Sequence, residues 1–261
     1  MAFLPFLLLC WALSAVAMAL TWAVSMRVRN VGYVDAAWAA LLALCALLAG
    51  ALAPGSEVTR ALVAFFGSIW GARLSLHLLS RVLHEPEDGR YVALRERWNG
   101  SPGRFFVFFQ MQALVVALFC VPFYAAAANP GDASPGWAIA ALACWLVAVG
   151  GEALADQQLS RFRADPDNRG RTCRSGLWAW SRHPNYFFEW LHWFAYVLLA
   201  VGSPWLGWSL IGPAVMLLFL YRVSGIPWTE AQSLRSRGED YRRYQREVSA
   251  FIPLPPRRGD T

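Results

Sequence analysis

YVDAAWAALLALCALLAGALA, Tyr33 to Ala53, carries a single charged side chain, Asp35, at its start. Wound as an α-helix it reaches about 30 Å, the thickness of a bilayer's hydrocarbon core. Ala2 to Met26, Val58 to Leu79, Phe105 to Ala128 and Trp137 to Ala155 read the same way, and the shorter Tyr186 to Val201 and Trp205 to Tyr221 follow. The expected fold is therefore all-α, an integral membrane bundle of about seven transmembrane helices. Residues 1–254 are read as one polytopic domain and residues 255–261 as a short tail.

Composition agrees. The chain is 57% hydrophobic and only 15% charged, against roughly 25% charged in soluble domains. All 23 basic residues are Arg, which removes lysine Schiff-base and phosphate-loop chemistry. The net charge of +6 does not point to nucleic acid, because the Arg residues lie between apolar spans. Those after spans one, three and five and in the tail alternate with Arg-free loops, Pro54 to Glu57, Asn129 to Gly136 and Gly202 to Pro204. By the positive-inside rule the amino terminus is expected outside and the carboxyl terminus in the cytoplasm, which an odd number of spans satisfies. Arg27 and Arg29 follow the first apolar run, the reverse of a secretory signal.

Polar residues beside hydrocarbon are expensive and point to function. Asp35 is either an interfacial cap or a carboxyl group whose desolvation would keep it protonated and able to donate. Arg73, His77 and Arg81 share one helix face, with Arg81 placed to meet an anion. His84 to Tyr91 reads as a charged loop in which Tyr91 could bond a substrate. Glu152 and Asp156, one turn apart and followed by Arg161 and Arg163, form either an ion network or a site in which carboxylates take ribose or amide groups and Arg holds phosphate. Ser181-Arg182-His183-Pro184-Asn185-Tyr186-Phe187-Phe188-Glu189 packs a cation, an imidazole, an amide, a phenol and a carboxylate before an apolar run. Glu189 and His192 have Glu-x-x-His spacing, but no second copy exists for a di-iron site, so hydrogen bonding is expected and no metal. The five Cys show no metal or redox spacing and read as buried, inert thiols. Thr229 to Ser249 reads as one amphipathic helix with Tyr241, Tyr244, Val248 and Phe251 on a stripe.

These residues resemble the steroid 5α-reductase superfamily, and more closely its bacterial branch. Val34-Asp35-Ala36-Ala37-Trp38, Glu87-Asp88-Gly89-Arg90-Tyr91, Arg182-His183-Pro184-Asn185-Tyr186 with Glu189, and the closing Glu230, Tyr241, Tyr244 and Phe251-Ile252-Pro253 carry the resemblance. It implies a seven-helix bundle of the bacterial inner membrane with a cofactor cavity facing the cytoplasm. The amino-terminal half would serve the substrate and the carboxyl-terminal half NADPH. By position, Asp156 and Arg163 would contact the cofactor, Asn185 its nicotinamide end, and Glu189 lies one turn on. Glu152, Arg182, His183, Tyr186, Glu230 and Tyr241 complete that set, and Arg81 and Arg222 fall where the family has Arg near the phosphates. The chain lacks the Gln-Glu pair with which animal steroid reductases polarise the substrate carbonyl, and Leu78 falls where they have a Tyr. Asp35, Tyr33 or Tyr91 would substitute as the catalytic group.

The implied reaction is hydride transfer from NADPH to a carbon–carbon double bond conjugated to a carbonyl, in a lipophilic substrate drawn from the bilayer. No protein partner is implied. Two other readings stay open. Isoprenylcysteine carboxyl methyltransferases share the Arg-His-Pro-x-Tyr segment and would use S-adenosylmethionine, and a lipid-binding protein could keep the fold without the chemistry.

Overall fold

The computed structural model describes residues 1–131, 134–223 and 225–257. In chain order its helices are α1 (Phe3–Val28), α2 (Tyr33–Leu52), α3 (Glu57–His84), α4 (Gly89–Arg97), α5 (Pro102–Ala127), α6 (Pro135–Ala164), α7 (Pro184–Leu199), α8 (Leu206–Ser209), α9 (Ile211–Leu218), α10 (Ile226–Arg237) and α11 (Glu239–Glu247). Among the described residues the only β feature is an isolated bridge between Ser181 and Ser249. Among the described residues six helical stretches are long and apolar enough to cross a membrane: α1, α2, α3, α5, α6 and the run Leu206–Arg237. The protein is a helical membrane bundle. Its outward side chains agree, with Leu4, Val16, Leu20, Leu76, Val107 and Ile139 all strongly exposed.

The expected short sixth span, Tyr186 to Val201, is present as a helix displaced by two residues and does not count among these six. The helix in that place, α7, has 16 residues, about 24 Å at 1.5 Å per residue and short of the ~30 Å core. Hydropathy reads composition, whereas the helix is stopped by its flanks, Pro184 at its first position and a turn through Gly202 (φ 83°). The last span is segmented as well: α8 and α9 lead into a π-helical turn, Phe219–Val223.

The chain divides into two compact units, the first built from Met1–Ile139 with Tyr196–Gly212, the second from Ala140–Ala195 with the chain from Pro213 onward. In the first unit α2 and α3 approach most closely. A Cβ on Gly67 would lie 2.3 Å from that of Ala46, and one on Gly71 would lie 2.8 Å from the Ala39 carbonyl oxygen. With lipid outside, helices gain no hydrophobic drive from pairing, and such small-residue seams supply close packing instead. Ser75 Oγ donates to the Ala36 carbonyl at 2.9 Å across the same seam. Phe6, Phe66, Trp70, Phe109, Phe119 and Phe123 are among the largest fully buried side chains of this unit. The later segment closes onto this unit, where Asn129 Nδ2 donates to the Leu199 carbonyl at 2.9 Å and the Phe123 and Tyr196 rings meet edge to face.

In the second unit the single amphipathic helix expected over Thr229 to Ser249 is two, α10 and α11. They are broken at Gly238, whose φ of 52° and ψ of −122° suit glycine and strain any other residue. The apolar stripe survives the break: Tyr241, Tyr244 and Val248 are buried together against Leu234. Tyr244 spends its hydroxyl on the carbonyls of Trp178 and Ser181, which ties α11 to the segment before α7.

Candidate functional site

Two polar clusters stand out, one in each unit. The first is built where α2, α3 and α4 begin or end. Asp88 caps α4, accepting from the Arg90 backbone N–H at 2.9 Å and from Arg90 Nε at 3.1 Å. That cap directs Arg90 and Tyr91 back at α2. Tyr91 O–H donates to Asp35 Oδ1 at 2.6 Å, and an Arg90 terminal nitrogen donates to Asp35 Oδ2 at 3.2 Å. Glu87 fixes the connection from the other side, accepting from the Val31 N–H at 2.6 Å and from Arg95 at 2.8 Å.

The alternatives for Asp35 are an interfacial cap and a desolvated proton donor. The Asp35 side chain is 34% exposed, not desolvated, and it accepts on both oxygens. Tyr91 is the donor of the pair. Burial, followed by the facing Asp35 carboxylate, pushes the Tyr91 hydroxyl well above its ordinary range, so it is a phenol at any physiological pH. Burial alone would raise the Asp88 carboxyl, but the charge of Arg90 and its hydrogen bonds hold it below the usual range. Arg81 belongs to this first cluster, pairs with Glu85 at 3.4 Å and lines a small cavity of about 30 Å³ with Asp35, Leu78, Asp88 and Arg90. Tyr33 takes no part in the hydrogen bonds around Asp35 among the described residues.

One residue here escaped the sequence reading as a site residue. Trp38 lies one turn along α2 from Asp35, packed edge-on against Trp70 and Phe119. Its indole Nε1 is buried with no hydrogen-bond partner. Buried donors are almost always satisfied, so an unspent one asks for an acceptor.

The second cluster is centred on Arg182. Its Nε donates to Glu230 Oε1 at 2.7 Å, and one terminal nitrogen donates to the carbonyls of Gln245 at 3.0 Å and Val248 at 2.6 Å. Glu230 also accepts from His183 Nε2 at 3.3 Å and from Gln245 at 2.9 Å. The His183 ring stacks on that of Tyr186, whose hydroxyl meets Thr229 Oγ1 at 3.2 Å. Asn185 Nδ2 donates to Asp156 Oδ1 at 3.2 Å. Thus Asp156, Arg182, His183, Asn185, Tyr186 and Glu230 come together. Glu152 is buried one turn before Asp156, and Arg163 is exposed two turns after it on α6. Glu189 is half-buried on α7, and Arg222 is exposed on the π-helical turn. Tyr241 is packed in the apolar cluster of α11, where burial pushes its hydroxyl up to about 12. The charge of Arg182 is spent within the protein, so this residue organises the segment and leaves anion binding to others.

His183 makes stability depend on pH. Burial lowers its pKa below the ordinary 6.5, with the Glu230 hydrogen bond opposing. The unfolded chain therefore takes up this proton first, and stability present above pH 6.5 is lost as pH falls towards the folded value. Thermal unfolding between pH 8 and 5 should show this loss, and His183→Asn should show a smaller one. Equal slopes in the two proteins would remove His183 as the cause.

A polytopic helical membrane protein with two buried-edge polar clusters is the class these features define. Residues 21–248 match the model of a family described as protein of unknown function (DUF1295), and the chain belongs to that family. It is also similar to the uncharacterized protein C594.04c of Schizosaccharomyces pombe, at 28% identity over 89% of this chain and 75% of that protein. No solved structure matches.

Proposed function

We propose that the protein is a membrane-embedded, NADPH-dependent reductase that acts on a double bond conjugated to a carbonyl in a lipophilic, steroid- or isoprenoid-like substrate. The observation that carries this reading is the buried, unspent Trp38 indole N–H, one helical turn from the Asp35–Tyr91 pair. A carbonyl oxygen is an acceptor of the kind that donor lacks. As the β-carbon of an enone is reduced, negative charge gathers on that oxygen, and a fixed donor in a dry site stabilises it. Tyr91, held by Asp35, keeps a proton close at hand, and Arg90 balances the carboxylate.

The donor set of the second cluster fits a dinucleotide. Asn185 and Asp156 offer an amide and a carboxylate to carboxamide or ribose groups, and exposed Arg163 offers a permanent, planar cation to phosphate. Bound NADPH would supply the hydride. Arg182, Glu230 and His183 hold Asn185 in place by fixing the turn before α7.

Binding of NADPH and of S-adenosylmethionine to the detergent-purified protein tests the reading, with Asn185→Ala and Arg163→Ala as controls. Saturable NADPH binding that both substitutions weaken is the expected result. Binding of S-adenosylmethionine alone would replace the reductase by a methyltransferase related to those that share the Arg-His-Pro-x-Tyr segment. Binding of neither would leave a lipid-binding protein.

A further inference from the structure

Three of the five cysteines, distant in sequence, meet in space. Cys10 on α1, Cys45 on α2 and Cys120 on α5 are each at most 1% exposed, none is in a disulfide, and their sulfur atoms all lie within 4.8 Å of one another. Each sits about two turns in from a helix terminus, and those termini are joined: the Met1 amino group donates to the Leu52 carbonyl, and Tyr124 O–H donates to the Met1 carbonyl. Asp35 lies ten positions before Cys45 on α2, about 15 Å away along the axis. The thiols are thus a separate locus in the first unit, independent of the reductase reading.

We propose that Cys10, Cys45 and Cys120 form a three-sulfur site for a soft, thiophilic cation, with Cu(I) as the ion it fits. Three observations set that chemistry. Among the described residues no His, Asp or Glu joins the group, so hard oxygen-seeking cations find no ligand, whereas thiolates select soft ions. Three sulfurs about 2.3 Å from a central ion in a plane are about 4.0 Å apart, inside the 4.8 Å within which the helices hold all three. Finally, Ser14, fully buried one turn along α1 from Cys10, places its hydroxyl against the Cys45 sulfur, a polar group at the cluster in an otherwise apolar interior.

Coordination number favours Cu(I), because structural Zn²⁺ takes four ligands and only three sulfurs are offered here. Each Cys that ligates does so as thiolate, so its proton leaves as the ion enters, and no electron is transferred. Three helices from separate parts of the chain would then share one centre, a staple where lipid offers no hydrophobic drive.

The test uses the full chain in detergent, reduced and kept free of oxygen. Cu(I) is titrated against a chromogenic Cu(I) chelator, and the copper-loaded protein is examined by X-ray absorption. One Cu(I) withheld per chain, with only sulfur around the copper, is the expected result. Cys10→Ser, Cys45→Ser and Cys120→Ser should each weaken retention by at least the ~10–100-fold that even an outer change at a metal site costs. Cys144→Ser and Cys173→Ser, in the other unit, should not. Failure of the reduced wild-type protein to withhold copper, nitrogen or oxygen ligands in its absorption spectrum, or equal losses in the control variants would each overturn the proposal. The wild-type arms do not depend on any variant folding.

Discussion

Trp38→Phe is expected to lower turnover by ~10²–10³-fold while NADPH affinity stays unchanged. The size is that of removing one fixed donor to a developing oxyanion, and the separation of the two readouts follows from where Trp38 sits. The substitution keeps an aromatic ring against Trp70 and Phe119 and removes the pyrrole half of the indole, with the N–H that finds no acceptor in the protein. A merely structural Trp38 would lower stability and leave kcat per folded molecule intact. Steady-state kinetics beside thermal unfolding separate these outcomes, and unchanged kcat with reduced stability would remove Trp38 from the chemistry. Asp35→Asn is the companion experiment. It loosens Arg90 and re-aims the Tyr91 hydroxyl, so it should reduce turnover more than cofactor affinity. Unchanged turnover would leave Asp35 as an interfacial tie between α2 and α4.

Arg182→Ala should cost the protein about 3–5 kcal/mol of stability, the usual result of removing one partner from a buried ion pair. The Arg182 and Glu230 side chains are 11% and 16% exposed, so water screens them little. The deletion also leaves the carbonyls of Gln245 and Val248 without the guanidinium that now donates to them. A surface arginine would cost at most ~1 kcal/mol, so thermal unfolding decides between the two descriptions. Arg182→Lys keeps a charge but not the planar fork, and it should recover only part of the loss. Full recovery by Lys would show that charge, not geometry, holds the segment.

The spans of α1, α2, α3, α5 and α6 were legible because length and apolarity fix a membrane helix almost alone. α7 was legible too, as a span shorter than the rest, although its composition alone does not say whether so short a helix crosses. The single amphipathic helix expected before Phe251 overlooked Gly238, whose backbone angles separate α10 from α11 without disturbing the 3.6-residue stripe. In the sites, local spacing was informative: Asn185, Glu189 and Asp156 were singled out from motifs, and Asn185 does meet Asp156. Long-range partners were less so, since Arg90 and Tyr91, which meet Asp35, arrive from more than fifty residues away. The thiol group shows the same limit more sharply, since no spacing in the chain announces that residues 10, 45 and 120 share one point. Trp38 was quoted as part of a motif, but an indole's unspent hydrogen bond is visible only once its surroundings are known.

Neither unit is a continuous piece of chain, and this bears on how the protein is made. A ribosome that has delivered the first 195 residues has delivered α5 but not the Leu199 carbonyl that the Asn129 amide bonds, nor the Tyr196 ring that meets Phe123. Likewise Arg182 is inserted long before Glu230, Gln245 and Val248 exist to receive it. Each unit is therefore finished by segments that emerge late, and the two share a birth order in which the second is begun before the first is closed. For a membrane protein made one helix at a time, quality control must wait for almost the whole chain.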